Sequence, residues 1–332
     1  MFQDLKKPVK ILDLIKVKKP LIIGILNITP DSFSDGGQYF QIDDAIKHAK
    51  KLIQDGVDIL DIGGESTRPG AKLISEEEES KRVIPVVSVI ARRFKESTKQ
   101  YRTFHDNSIE TASSAHSVPP RNDKSVLISI DTYKSNVARL ALTAGANMIN
   151  DVSGLTMDLN MVKVAQDTNC PIVIMHNNGI PATKPLNALR HCEEARKSRR
   201  SNLLTFVRLL HRFAPRNDVF STSLILKEVY SWLQNQTNFA IKNGIKRENI
   251  IIDPGIGFGK TAEEDFELIK NLKEFKSLGF PILVGLSRKS FIRKLFPKCN
   301  IEIKSKEMIE LAIRNGADIV RVHSTTPPSP AL

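Results

Sequence analysis

Eight short apolar runs, each followed by polar or glycine-containing residues, recur along the 332-residue chain and constrain its fold most strongly. In the first run, LIIGIL at residues 21–26, apolar and polar residues do not strictly alternate. Such runs are typical of strands that are buried on both faces. Helical patterns separate the runs, as in residues 43–54, which carry one apolar face and precede Gly56. The predicted strands are residues 21–26, 57–64, 126–132, 148–154, 171–176, 249–255, 281–287 and 318–323.

Eight buried strands alternating with helices predict an α/β fold, a (β/α)8 TIM barrel. An open doubly wound sheet is the alternative, but it usually has fewer strands. We predict a lead-in at residues 1–20, one barrel over residues 21–323, and an irregular tail at residues 324–332. The tail contains three prolines, which disfavour a helix, so the eighth helix of the barrel is predicted to be missing.

Two basic segments, residues 91–124 and 187–220, interrupt the alternation of strands and helices. Both end in the string PRND, at Pro120–Asp123 and Pro215–Asp218, so we interpret them as surface insertions of related origin. Together they carry +8 of the chain's formal net charge of +12. Because the charge is concentrated there, no nucleic-acid partner is predicted, although a basic binding arm is the alternative interpretation.

The composition of the chain also indicates the cellular compartment in which the protein is expected. No run approaches the roughly 18 apolar residues of a membrane span, and the N-terminus lacks an apolar signal-peptide centre. The three cysteines, Cys170, Cys192 and Cys299, form no CxxC pair, so neither a disulfide framework nor a zinc site is predicted. We therefore expect a cytoplasmic protein without a membrane partner.

Polar side chains lie at or near the end of every predicted strand, and the ends of all strands meet at one face of a barrel. Each residue alone is also explained by a local role: Asp131 as the N-cap of the next helix, Asp253 as the cap of a turn in DPG. Taken together, they predict a shared site at the C-terminal rim. The residues are Asn27, Asp61, Asp131, Asn150, His176, Asp253, Ser287, Arg321 and His323.

Arg321 and His323 are two residues apart on the last strand, so their side chains project from the same face. The arginine fork suits phosphate oxygens. Closure of the barrel makes the first and last strands neighbours, which is expected to bring Asn27 beside these two cations. The glycine-rich IGFGK at residues 256–260 lacks the full spacing of a phosphate-binding loop, so no role in phosphate binding is predicted for it.

Seven motifs in register on these strand ends give the chain a specific resemblance. The sequence resembles the dihydropteroate synthases of the pterin-binding barrel family, over residues 21–323 apart from the two insertions. The matching segments are LNITPDSFSDGG (26–37), DIGGESTRPGA (61–71), ISIDTYK (128–134), NDVSG (150–154), IDPGIGFGK (252–260), GLSRKSFI (285–292) and GADIVRVH (316–323).

The resemblance implies a transferase of folate biosynthesis, in a family that sulfonamides target. It joins 4-aminobenzoate to 6-hydroxymethyl-7,8-dihydropterin diphosphate and releases diphosphate. By resemblance, Asp131, Asn150 and Asp253 bind the edge of the pterin ring, and Lys289 reaches its acceptor side. Carboxylates and amides suit such an edge because they hold hydrogen bonds in fixed directions. Met175 and Phe258 are expected to pack on the ring faces.

The resemblance also assigns the second substrate and the leaving group. Phe33, Thr67, Arg68 and Pro69 are expected to form the pocket for 4-aminobenzoate, in two loops that close over the site. Lys289, Arg321 and His323 are the predicted catalytic residues, with the diphosphate near the last two. Asn27 is the predicted ligand of Mg²⁺, which takes few protein ligands beside water and phosphate. The family's usual homodimer involves late helices, so the missing eighth helix leaves the dimer open.

Two alternatives remain from the sequence. One is a related pterin-binding barrel that transfers a methyl group from a methylated folate to a corrinoid protein. The other is a catalytically impaired remnant of the synthase, because the motifs are complete while the scaffold carries insertions and a shortened end.

Overall fold

The structure, a computed structural model, describes residues 11–17, 19–28, 38–66, 71–93, 126–178 and 223–323. The predictions for the first ten residues, for most of both insertions and for the tail, including the missing eighth helix, lie outside these described residues.

Eight parallel strands form one sheet in which all strands adjacent in sequence are paired except β6 and β7, and β1 also pairs with β8. A bridge between Ile252 and Ile282 joins β6 to β7 and closes the barrel. The prediction of eight strands and of a TIM barrel is confirmed. The strands are β1 (Leu21–Asn27), β2 (Ile59–Gly63), β3 (Leu127–Asp131), β4 (Met148–Asp151), β5 (Ile172–Met175), β6 (Ile250–Asp253), β7 (Leu283–Gly285) and β8 (Ile319–Val322).

Helices cover the outside of the sheet, and none of those described is both long and apolar enough to cross a membrane. Short 3-10 helices at Arg247–Asn249 and Leu272–Leu278 complete the described elements. The α-helices are α1 (Ile11–Val17), α2 (Gln38–Gln54), α3 (Glu76–Arg93), α4 (Ser135–Ala144), α5 (Asn160–Thr168), α6 (Leu224–Lys242), α7 (Ala262–Lys270), α8 (Ser290–Leu295) and α9 (Ile301–Arg314).

Local sequence explains where several helices begin. At the start of α3, Ser75 Oγ accepts a hydrogen bond from the backbone N–H of Glu78 (3.2 Å) and so caps the helix. Pro85 lies inside α3, which continues to Arg93. Thr261 and Glu264 form a capping box at the start of α7.

The lower half of the barrel interior is an apolar cluster closed by α1. Ile11 of α1 is buried there, and Leu14 and Ile15 pack against the cluster. Contacts with α1 therefore seal the N-terminal end of the barrel and leave the C-terminal end for a site. The cluster comprises Ile11, Leu21, Ile23, Ile59, Met148, Val173, Ile251, Leu283 and Ile319.

Side chains in the loops before three strands tie the strands together at this sealed end. Asp58 Oδ2 accepts a hydrogen bond from the backbone N–H of Ile22 (2.9 Å), and Asn147 Oδ1 accepts one from Ile128 (2.8 Å). Asp318 Oδ2 likewise accepts from the N–H of a residue before β7. These bonds hold the N-terminal ends of neighbouring strands level, which fixes the relative height of the residues at their other ends.

Candidate active site

The C-terminal half of the barrel interior is polar, in contrast to the apolar half below it. Successive side chains of a strand point to opposite faces, so the residue two positions beyond each apolar interior residue also points inward. On the five strands β2, β4, β5, β6 and β8 this step leads to Asp61, Asn150, Met175, Asp253 and Arg321. Four of these five residues are polar, and those four are among the strand-end residues that predicted the site.

Arg321 lies between two carboxylates inside this polar half. Its Nε donates to Asp61 Oδ2 (2.7 Å), and one terminal nitrogen donates to Asp131 Oδ2 (2.6 Å). Asp61 is fully buried, and Asp131 is nearly so. The second oxygen of each carboxylate, Oδ1, is buried and has no hydrogen-bond partner among the described residues. The site therefore holds a fixed guanidinium and two buried carboxylate oxygens that can accept hydrogen bonds.

Asp61 also connects the arginine to Asn150. Its Oδ2 accepts a second hydrogen bond from Asn150 Nδ2 (3.0 Å), so one carboxylate oxygen joins strands β2, β4 and β8. This bond turns the amide oxygen of Asn150 away from Asp61 and makes it available as an acceptor. The sequence placed Asp61 at the rim but assigned it no role; its inward position, two residues after Ile59, was the available indication.

The local explanations offered for two aspartates have different outcomes. Asp131 is not a helix cap, because the N–H of Ser135 is bound by Asp158 Oδ2 (2.8 Å) while Asp131 binds Arg321. Asp253 does cap its turn, since its Oδ1 accepts from the N–H of Gly255 (2.7 Å). Its Oδ2 makes no hydrogen bond to another described residue, so the turn uses half of the carboxylate.

An apolar surface lies beside Asp253 and is formed by the two residues predicted to contact a ring. Met175 and Val152 are buried and in contact, and Phe258 packs against them. Lys289 Nζ lies 4.0 Å from the centre of the Phe258 ring, within the range of a cation–π interaction. The structure thus brings together Met175, Phe258, Asp253 and Lys289, which follow three different strands or lie at their ends.

The loop after β6 requires glycine to shape this wall. Gly255 has φ = +68°, and a Cβ there would lie 1.8 Å from the carbonyl oxygen of His176. Lys260 Nζ donates to the carbonyl oxygen of Gly255 (2.7 Å), and Asp265 Oδ1 accepts from the N–H of Gly257 (2.7 Å). The IGFGK segment therefore holds Phe258 against β5, a role the sequence did not reveal.

Burial shifts the protonation of three site residues. It raises the pKa of Asp253 to about 6, although the bond from Gly255 and the charge of Lys289 oppose the shift. It raises the pKa of Asp131 well above its usual range, against the opposing charge of Arg321. Burial and the charge of Arg321 lower the pKa of Lys289 to about 8. Groups with pKa values this close to neutrality are typical of ligand-binding and catalytic sites.

Asn27 lies at the same rim, but it is not level with Arg321 on the neighbouring strand β8. Strands β1 and β8 are adjacent as predicted, yet Arg321 lies opposite Ile23, four residues before Asn27. Asn27 instead pairs with Gly63 of β2, which pairs with Asp131 of β3. A Cβ built on Gly63 would lie 3.6 Å from both Asn27 Oδ1 and Asp131 Oδ2, so these two oxygens flank the open space above that glycine.

The remaining predicted residues are placed only in part. His323 follows β8 and is partly exposed, and its backbone N–H lies 3.4 Å from Ser287 Oγ. Because β8 ends at Val322, the expectation that its side chain shares a face with Arg321 stays a prediction. Phe33, Thr67, Arg68 and Pro69, predicted to bind the second substrate, lie outside the described residues.

The (β/α)8 barrel and the charged and apolar side chains gathered at the C-terminal ends of its strands define a TIM-barrel enzyme. Residues 23–100 and 95–323 match the family model described as pterin binding enzyme. The chain belongs to this family.

Similar proteins agree with this assignment. The dihydropteroate synthase of Bacillus subtilis is 37% identical over 92% of this chain and 84% of its own length. That of Clostridium beijerinckii is 36% identical over 92% of this chain and 89% of its own length. A solved structure of the Xanthomonas albilineans dihydropteroate synthase with 4-aminobenzoic acid is 32% identical, with a TM-score of 0.67, and covers 93% of this chain and 89% of that one. The matches span both halves of the barrel.

Proposed function

We propose that this protein condenses 4-aminobenzoate with 6-hydroxymethyl-7,8-dihydropterin diphosphate to give 7,8-dihydropteroate and diphosphate. The observation that carries the proposal is the convergence of Asp131, Asn150, Asp253 and Lys289 around an apolar wall beside Arg321. A solved relative from Xanthomonas albilineans is a complex with 7,8-dihydropteroate, and one from Yersinia pestis is a complex with a sulfonamide drug. Both support this substrate class and its sulfonamide inhibitors.

The pterin ring requires acceptors for its amino and amide protons and donors for its ring nitrogens and carbonyl. Asp253 Oδ2 and the oxygen of Asn150 supply acceptors, and Lys289 supplies the donor. Met175 and Phe258 form an apolar surface against which a flat ring packs. Because the polar groups are held by their own hydrogen bonds, the ring binds in one orientation.

Arg321 is the group best arranged to hold the leaving diphosphate. A guanidinium has five N–H donors, and Asp61 and Asp131 use two of them, which leaves about three for phosphate oxygens. The two carboxylates fix the plane of the fork before the substrate arrives. His323, predicted to share a face with Arg321, adds a second donor at the rim.

In the proposed reaction, the bond between the methylene carbon of the pterin and the bridging oxygen breaks, and its electron pair leaves with diphosphate. The amine nitrogen of 4-aminobenzoate then bonds to that carbon and releases a proton. No side chain needs to become covalently attached. The protein contributes orientation, stabilisation of the leaving charge by Arg321 and exclusion of water.

Mg²⁺ fits the oxygen donors at the rim. No cluster of three or more His, Cys, Asp or Glu suited to a metal occurs among the described residues, so a site made entirely of such side chains is not supported. Asn27 Oδ1, which lies with Asp131 Oδ2 beside Gly63, suits an ion that keeps most of its ligands as water and phosphate. When bound there, Mg²⁺ neutralises charge on the diphosphate.

For the second substrate we propose Phe33, Thr67, Arg68 and Pro69, on the resemblance of their two loops to the family motifs. The cytoplasm remains the proposed compartment, and a homodimer remains a prediction. Methyl transfer to a corrinoid protein is less well supported, because an arginine fork flanked by carboxylates suits a diphosphate. An impaired remnant is also less well supported, since the strand-end groups are paired and oriented.

The test is release of diphosphate by the purified protein in the presence of Mg²⁺ and the pterin diphosphate. We expect release to depend on 4-aminobenzoate and to be inhibited by a sulfonamide that competes with it. A folded sample that binds the pterin but releases no diphosphate would support the impaired remnant. Transfer of a methyl group from a methylated folate, with no diphosphate chemistry, would support the corrinoid alternative.

Removal of the metal should abolish activity and leave the fold unchanged. With excess EDTA we expect turnover to be lost, and added Mg²⁺ to restore it. In Asn27→Ala the Mg²⁺ concentration for half-maximal rate should rise by about tenfold, the loss of one ligand in a site with few protein ligands. An unchanged Mg²⁺ dependence in this variant would exclude Asn27 as a ligand.

The rate should depend on pH through Asp253 and Lys289. Protonation turns one carboxyl oxygen of Asp253 from an acceptor into a donor, so kcat/KM for the pterin diphosphate should rise as pH increases through about 6. Lys289 donates as a cation, so the same constant should fall as pH increases through about 8. In Lys289→Arg the alkaline fall should disappear up to about pH 10, because arginine stays protonated. An identical alkaline limb in that variant would assign it to another group.

A further inference from the structure

The loop after β6, which carries Phe258, folds around the side chain of Lys260. The Nζ of this lysine donates to the carbonyl oxygen of Gly255 (2.7 Å) and lies 3.4 Å from that of Phe258. The backbone N–H of Phe258 also donates to the carbonyl oxygen of Gly255 (3.2 Å). One ammonium group therefore joins the start, the middle and the end of the segment 255–260. No step of the proposed reaction assigns a role to Lys260.

This segment sets the position of two side chains that are proposed to bind the pterin ring, Phe258 and Lys289. Phe258 packs against the buried residues Val152 and Met175. Lys289 Nζ lies 4.0 Å from the centre of the Phe258 ring. A Cβ built on Gly257 would lie 3.0 Å from Lys289 Cδ, so the loop also contacts the stem of that lysine. A change in the path of the loop would move both the apolar wall and the donor.

The positive charge of Lys260 is more than the loop itself requires. A neutral donor would satisfy the same carbonyl oxygens, and among the described residues the ammonium forms no ion pair with a carboxylate. Burial lowers the pKa of Lys260 to about 8, although the charges of Asp265 and Asp253 oppose this shift. The charge therefore acts on neighbouring carboxylates, and of these two only Asp253 is proposed to bind the ring.

The charge state of Asp253 depends on its burial and on the cations around it. Burial raises the pKa of Asp253 to about 6, although a backbone hydrogen bond and three cations oppose the shift. The cations are Lys289, Lys260 and Arg321. His176, which follows β5, donates its backbone N–H to the carbonyl oxygen of Asp253 (2.9 Å). Its ring is uncharged at neutral pH, because burial lowers its pKa to about 3. Lys260 therefore favours the carboxylate form, in which both oxygens of Asp253 are acceptors.

We propose that Lys260 is a positioning residue for the pterin ring. It fixes the loop that places Phe258 and Lys289, and its charge keeps Asp253 in the ionised form that accepts hydrogen bonds from the ring. The inference rests on the proposed function, in which these three residues bind the ring. It extends that function to a residue that acts through its neighbours.

The test measures how tightly Lys260→Met binds 6-hydroxymethylpterin, followed by the fluorescence of the pterin, between about pH 5 and about pH 7.5. At about pH 7.5 we expect binding to weaken about tenfold, the effect of losing a hydrogen bond to a charged group. At about pH 6 the loss should be about two- to fourfold greater. Removal of the cation should raise the pH at which Asp253 ionises by roughly half to one pH unit.

The direction of this change separates the proposal from a simple loosening of the loop. A loop that only opens would expose Asp253 to water, and the pH at which the carboxyl ionises would fall. Pterin binding would then persist to lower pH than in the wild type. The proposal requires the opposite displacement, and urea unfolding of each variant shows whether the fold is retained.

Two further variants separate the donor of Lys260 from its charge. Lys260→Gln keeps a neutral donor, so it should recover part of the affinity at about pH 7.5 and keep the displaced pH dependence. Lys260→Arg keeps the charge, so its pH dependence should match that of the wild type. Lys270→Met is the matched control, because Lys270 is exposed on α7 and pairs with Glu267 (2.8 Å). Its affinity and pH dependence should equal those of the wild type.

A wild-type pH dependence in both Lys260→Met and Lys260→Gln, or a displacement to lower pH, would overturn the proposal. Unchanged affinity at about pH 7.5 in Lys260→Met would equally overturn it, because the loop contact would then have no effect on the ring. A wild-type protein that binds the pterin with the expected pH dependence but releases no diphosphate would overturn the proposed function alone. A folded wild-type protein that binds no pterin would overturn both.

Discussion

Arg321→Met is expected to lower both the stability and the rate of this protein more than any other single change in the barrel interior. Two carboxylates, Asp61 and Asp131, would lose their cationic partner inside the fold. Removal of one member of a buried ion pair costs about 3–5 kcal/mol in the free energy of unfolding. Diphosphate release should slow by roughly 10²- to 10³-fold, the usual effect of removing a donor that stabilises developing charge. Urea unfolding and the diphosphate assay measure the two effects.

The stability loss should depend on pH with a definite sign. Without Arg321, the folded-state pKa of Asp131 rises further above its value in the unfolded chain, so the ionised carboxylate disfavours folding. This cost is absent below the unfolded pKa, near about 4, and grows until the pH exceeds the folded pKa. The difference in unfolding free energy between variant and wild type should therefore be larger at about pH 8 than at about pH 5.

The double variant Asp61→Asn with Arg321→Met is the control for this interpretation. It removes one of the two stranded charges and keeps an acceptor and a donor in nearly the same volume. We expect it to recover part of the stability but none of the rate. A double variant no more stable than Arg321→Met would show that packing of the arginine stem, and not charge pairing, is lost.

The barrel was predictable because its evidence is local and repeated. Each buried run is short, does not alternate between apolar and polar residues, and ends in polar residues. An error in the predicted bounds of one strand therefore leaves the prediction of eight strands unchanged. The site was predictable for the same reason, since barrel geometry alone brings the strand ends together. The family resemblance then named the residues that meet there.

Which side chains pair inside the site was not predictable, because pairing depends on how far each residue lies along the barrel axis and on where its side chain points. Two residues from neighbouring strands, Asn27 and Arg321, are offset by the register, so adjacency of strands did not make them neighbours. The bridge from Arg321 to Asp61 and Asp131 spans 260 and 190 residues of sequence. No local pattern encodes it.

Tertiary packing outweighs local helix preference in α3. Pro85 lies inside α3, where the neighbouring residues Val83, Val86 and Val87 are fully buried. Burial of such side chains stabilises a helix by more than one missing hydrogen bond costs. Helix α1, with buried Ile11, was missed because charged residues are distributed throughout the lead-in and interrupt its apolar residues.

Asp253→Asn is expected to separate binding from folding at this site. Asparagine keeps an oxygen that can accept from the N–H of Gly255, so the turn should be preserved. The other oxygen is replaced by an amino group, which would oppose a donor of the pterin ring. Loss of a charged hydrogen bond and the unpaired donor cost about 2 kcal/mol each, so kcat/KM for the pterin diphosphate should fall roughly 10³-fold. The measurement is steady-state kinetics with 4-aminobenzoate at saturation.

Asp265→Asn is the matched control for that loss. Asp265 is a buried aspartate that caps a turn in the same loop, through the N–H of Gly257, but it lies outside the proposed binding set. The pterin constant of this variant should change by less than about tenfold, the range expected for one structural hydrogen bond. Equal losses in the two variants would assign the effect of Asp253 to loop structure.

The same substitution at Asp253 should stabilise the fold while it removes function. Burial holds the folded pKa of Asp253 at about 6, above its unfolded value near about 4, so the ionised carboxylate disfavours folding at neutral pH. This difference between the folded and unfolded pKa is equivalent to roughly 3 kcal/mol, so the variant should gain up to that amount above about pH 6 and nothing below about pH 4. A variant that loses both stability and rate would make Asp253 a structural residue. A gain in stability with a loss of rate requires that the carboxylate is retained for the ligand.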